Sequence, residues 1–145
     1  MKKEEYTKYV QQTSKKSPLL KDCINAFLYG GAICTVGQGF SNLYKSMGLS
    51  KEAVSSAVSV TMIFWGVFLT AIGVYWRLAK HAGAGTIIPI TGFANSIVSP
   101  AIEFKSEGLV LGVGAKMFVI AGPVLVYGIL TSFIYGIILY ILQKV

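Results

Sequence analysis

Charge is scarce in this chain. Only 13% of its 145 residues are Asp, Glu, Lys or Arg, about half the share of an ordinary soluble domain. Acids are the rarest: six Asp and Glu stand against thirteen Lys and Arg, and histidine occurs once. That leaves little for acid–base catalysis, and no HExxH, GxSxG, phosphate-loop or Cys/His metal pattern is present. The Gly83-Ala84-Gly85 run precedes no soluble dinucleotide-binding unit. The chain is therefore expected not to be an enzyme, to carry no cofactor and to hold no firm metal site. Two cysteines, Cys23 and Cys34, lie eleven residues apart, about 16 Å along a helix and too far to bridge. They read as small packing residues, and no redox compartment follows from them. RNA-binding aromatic motifs and helix-turn-helix patterns are missing too, so the net charge of +7 is no sign of a nucleic-acid partner. Six of the thirteen basic residues, Lys2, Lys3, Lys8, Lys15, Lys16 and Lys21, precede the first apolar run. They fit a topology signal and attraction to anionic lipid.

What the chain does have is apolar length. Hydrophobic residues make up 54% of it and the mean hydropathy is +0.64. Charges gather at the N-terminus and in short connections, the distribution of an all-α, polytopic integral membrane protein. Residues 1–22 form a basic tail, read either as a short interfacial helix, with Tyr6, Tyr9 and Val10 on one face, or as an unstructured arm. Residues 23–145 form one transmembrane domain with spans at about 24–44, 53–76 and 117–142. No secretory signal is expected, because the first apolar run is too long and lacks a cleavage pattern. In the first span Ala26, Gly30 and Cys34 recur every four residues, with Gly37 a turn further on and Gln38 beside it. In the second, Gly66, Thr70 and Gly73 do the same at spacings of four and three. Such small faces let another helix approach closely. Tyr75 and Trp76 stand where an aromatic belt belongs.

Residues 82–102 are apolar enough to enter a membrane, yet they contain Gly83, Gly85, Gly92, Pro89 and Pro100. They also carry Thr86, Thr91, Asn95, Ser96 and Ser99. Irregular backbone is not tolerated against lipid, where each unsatisfied polar group costs several kcal/mol. The segment 82–116 is therefore expected to be discontinuous, either re-entrant or broken within a crossing, and to be buried in protein or to line a water-filled path. Half-helix ends there could hold a solute, with Thr86, Pro89, Thr91, Gly92, Asn95 and Ser96 as the lining. The alternative is a kinked helix whose hydroxyls bond its own carbonyls. If the segment crosses, the C-terminus returns to the side of the N-terminus, which Lys144 favours; if it re-enters, the C-terminus lies opposite.

A charge cluster follows. Glu103 and Glu107 are four residues apart, so on a helix they would share a face and could meet calcium at a mouth, or be a solvated loop with Lys105. Lys116 interrupts an apolar run, where a charge must snorkel or face water. His81 reads as an interface residue.

The stretches NAFLYGGAICTVGQGF (25–40), AGAGTIIPITGFANSI (82–97) and EFKSEGLVLGVGAKMF (103–118) closely resemble the SpoVA family of spore-forming bacteria. The GAG-x-x-x-P-x-TGFANS and E-x-KSEG patterns carry the resemblance, and FKSEGLVLG separates two branches of that family. The resemblance implies a subunit of a multi-protein system in the inner membrane of the spore. That system moves dipicolinic acid, largely with Ca²⁺, inward in sporulation and outward in germination. It also implies other SpoVA subunits as partners, in a homo- or hetero-oligomer. A non-conducting assembly subunit and a tension-gated channel for small solutes remain as alternatives. On the favoured reading Lys116 attracts the carboxylates.

Overall fold

The computed structural model describes residues 5, 6, 9, 10 and 18–144. Residues 5, 6, 9 and 10 are helical; the remainder of the expected interfacial helix lies outside the described residues. The described chain is helical, without a strand, and three stretches are long and apolar enough to cross a membrane: Leu19–Ser46, Lys51–Ala71 and Leu109–Gln143.

Helices α1 (Leu19–Ser46) and α2 (Lys51–Ala71) form an antiparallel hairpin. Each ends the same way. Gly48 (φ 81°) donates its N–H to Lys45 while Leu49 donates to Tyr44; Gly73 (φ 70°) donates to Thr70 while Val74 donates to Leu69. Both are Schellman stops, in which a left-handed glycine lets the chain turn and satisfy the last carbonyls. The second stop ends α2 at Ala71, short of the expected end near Trp76. Gly73 is therefore a turn residue and not part of a packing face, and nothing approaches its open side within 4 Å.

The chain then forms a short helix α3 (Tyr75–Ala82), a 3-10 turn (Gly83–Thr86) and, after Ile87, Ile88 and Pro89, helix α4 (Ile90–Glu103). At 14 residues, α4 is about 21 Å long and cannot cross a hydrocarbon core of about 30 Å. Its register on α2 gives its direction. Gly66 meets Thr91 and Ala94, and Thr70 meets Asn95, so both helices run the same way. A 3-10 turn (Lys105–Glu107) and a π-helical turn (Leu109–Gly114) reverse the chain into α5 (Ala115–Lys144). Helix α5 packs back along α4 and runs unbroken through Pro123. The broken segment thus enters and returns and α5 points the same way as α1, so the start of α1 and the end of α5 lie at opposite faces, against the hint from Lys144.

Packing is densest around α4, which lies between α2 and α5. The buried apolar residues include Met62, Tyr75, Ala94 and Ala121. From residue 123 to 143 every side chain of α5 is exposed and nearly all are apolar, a surface suited to lipid or neighbouring chains.

Candidate functional site

Small residues create the site by letting backbones touch. A side chain on Gly85 would strike the Ala26 carbonyl oxygen, and one on Gly30 would come 3.1 Å from the Gly85 oxygen. A side chain on Gly66 would stand 2.9 Å from the Thr91 oxygen. On Gly92 it would overlap the Thr86 oxygen. Of the expected packing residues, Ala26, Gly30 and Gly66 thus seat the broken segment against α1 and α2. Cys34 is exposed beside it, lining a shallow pocket with Gly85 and Pro89.

Tyr75 ties the break together. It is only 2% exposed, and its hydroxyl lies 3.2 Å from the Thr86 carbonyl oxygen and 3.1 Å from Thr91 Oγ1. Thr86 and Thr91 are themselves 4% and 5% exposed. Thr86 also donates to the Gly83 carbonyl, and Gly92 N–H donates to Pro89 at 2.8 Å. Irregular backbone is thereby satisfied by a tyrosine from α3. Sequence position alone puts Tyr75 in an aromatic belt beside Trp76, and only Trp76, 59% exposed, suits that place. The signal that separates them is Gly73: a glycine stop before Tyr75 turns it inward.

One side of the break remains open. A cleft of ≈ 770 Å³ lies between α3, α4 and α5, lined by Thr86, Gly92, Asn95 and Ser96 together with Ile120 and Val124. Thr70 donates its hydroxyl to the Gly66 carbonyl at 2.6 Å and lies 3.0 Å from the Asn95 side-chain amide, which keeps further hydrogen-bonding capacity toward the cleft. Ser96 donates to the Phe93 carbonyl at 2.7 Å. Thr91 and Pro89 do not line this cleft; Thr91 points with Tyr75 toward an apolar cavity of ≈ 350 Å³ between α1, α2 and α3. The expected lining is therefore split, and Thr91 belongs to the internal hydrogen-bond cluster.

The charged residues stand apart. Glu103 closes α4 and Glu107 sits in the next 3-10 turn, so no single helix aligns them. Both are exposed, and no group of three or more potential metal ligands occurs among the described residues. Glu107 packs its Cβ against Gly112, where an added side chain would come within 2.9 Å. Lys116 lies outside the cleft, its ammonium 4.2 Å from the centre of the Phe104 ring. His81 bonds the Arg77 carbonyl one turn back, at 2.9 Å.

Three apolar crossings around a re-entrant, glycine-seated half-helix with a part-polar cleft define a small polytopic membrane protein. The chain belongs to the SpoVAC/SpoVAEB sporulation membrane protein family, whose profile matches residues 22–138. It is 42% identical to stage V sporulation protein AC of Bacillus subtilis (strain 168) over 143 residues, 98% of this chain and 95% of that protein. No solved structure matches it.

Proposed function

We propose that the chain is a channel or permease subunit for dipicolinic acid and its calcium complex in the inner membrane of the spore. Family membership supplies the setting, and the cleft beside the broken segment carries the reading. An anion path wants helix N-termini and neutral donors, and α4 begins at that cleft with Asn95 and Ser96 facing it. Thr86 also lines the cleft, its buried hydroxyl held on the Gly83 carbonyl. Lys116 and the pair Glu103 and Glu107 act at the far end of α4, the lysine on carboxylates and the acids on calcium. No catalytic step is required.

A single chain of this size does not enclose a water-filled route for a dicarboxylated ring. The path is completed by further copies or by other SpoVA subunits, which cover the exposed face of α5. Crosslinking in membranes is expected to yield oligomers; monomers alone, with transport intact, would contradict this.

A second reading has its own support. No buried side-chain polar atom among the described residues lacks a partner, which also suits a segment that only packs. Flux through the full chain in liposomes, alone and with partner subunits, separates the two. Asn95→Leu is expected to block flux without loss of protein from the membrane. Normal flux at normal abundance would favour a non-conducting assembly subunit.

A further inference from the structure

We infer a second polar site, at the opposite end of α2 from the cleft: an anion-binding groove between α1 and α2 for the organic dicarboxylate. It rests on the permeation reading and extends it to the other half of the molecule. The groove measures ≈ 370 Å³, and its polar lining is Gln38, Ser41 and Lys45 from α1 with Lys51, Ser55 and Ser59 from α2.

The spacing makes the groove. Positions 38, 41 and 45 recur at three and four residues, and 51, 55 and 59 at four, so each set forms one helical row. The antiparallel hairpin lays the two rows side by side, and Gly37 widens the space between them. Gln38 also donates to Asn42 Oδ1 at 2.9 Å, which extends the polar row. Ser59 donates to the Ser55 carbonyl at 3.0 Å. The Ser41 and Ser55 hydroxyls have no partner among the described residues.

Depth argues that this is more than a wet helix end. Ser59 is eight residues into the hairpin from Lys51, about 12 Å along the axis. Ser59 and Gln38 each make one bond along their own helix, but the remaining groups of the Gln38 amide and the Ser41 hydroxyl are costly against lipid unless they face water or a polar partner. Charge decides the ligand. Lys45 and Lys51 stand at adjacent helix ends across the 47–50 turn, and no acid lines the groove. Glu52, beside Lys51 in sequence, lies outside the lining. Two ammonium groups with hydroxyl donors below them match two carboxylates on one small ring, the chemistry of the proposed solute.

Thiol protection tests the groove in the full chain, reconstituted with Cys23→Ser and Cys34→Ala replacing the native cysteines. The Ser55→Cys variant should react with a water-soluble methanethiosulfonate, and pyridine-2,6-dicarboxylate should slow that reaction about tenfold. Adding Lys45→Gln and Lys51→Gln should abolish protection, Lys45→Arg and Lys51→Arg should retain it, and an unchanged far-ultraviolet helix signal shows that the variants fold. An unreactive thiol at position 55 would overturn the groove. So would protection by phosphatidylglycerol vesicles or inorganic phosphate with none by the dicarboxylate, which would make it a headgroup or phosphate site. Normal flux without protection would sink this groove and leave the permeation reading intact. Protection without flux would do the reverse.

Discussion

The hydroxyls of Tyr75 and Thr91 lie 3.1 Å apart, linking α3 to the first turn of α4 across the irregular backbone between them. The same tyrosine oxygen reaches the Thr86 carbonyl, so one side chain closes both sides of the break. This cluster ties the two sides of the re-entrant segment together.

Tyr75→Phe should therefore destabilise the fold by about 1–3 kcal/mol, because it strands a buried carbonyl and a buried hydroxyl. Thr91→Val should cost less, and the double variant should fall short of the sum, since the two residues share one interaction. Thermal unfolding in detergent, run as a double-mutant cycle, measures this. Full additivity would show that the bond contributes nothing.

Gly92 and Gly128 should respond oppositely to alanine. At Gly92 the new methyl group would overlap the Thr86 carbonyl oxygen, backbone that cannot step aside. A loss of about 3 kcal/mol, or failure to accumulate, is expected there. At Gly128 nothing lies within 4 Å, and alanine should be neutral or gain up to about 1 kcal/mol through helix propensity. Membrane abundance and melting midpoint of the two variants are the readout.

Gly73 is limited by its backbone and not by space. Its φ of 70° is left-handed, so Gly73→Val should cost about 1–2 kcal/mol or more, while Gly73→Asn should be milder. Equal stability of the two variants would refute the Schellman stop as the reason for a glycine there.

Lys116→Gln should reduce flux of the free dianion more than flux of the near-neutral calcium complex, and Lys116→Arg should preserve both. Liposome transport with and without calcium reads the difference. Equal effects on both solutes would confine Lys116 to its contact with Phe104, worth about 0.5–2 kcal/mol at this half-buried site.

Much of the architecture is legible in the sequence, because hydropathy over twenty residues reports lipid contact directly. The Gly/Pro interruption at 83–100 marks the discontinuity for the same reason: irregular backbone must be enclosed. Fine placement is not legible. Tyr75 and Trp76 are neighbours of similar chemistry, and only the turn at Gly73 sends one inward and the other out. Glu103 and Glu107 have helical spacing, yet α4 ends between them. The groove from Gln38 to Ser59 needs the register of two helices, which no single-segment pattern contains.

The re-entrant turn leaves the described residues with an odd number of apolar crossings. The start of α1 and the end of α5 therefore open onto different compartments. A soluble factor, protease or modifying enzyme confined to one side can address only one of them. Any signal that must coordinate both ends has to travel through the helices themselves.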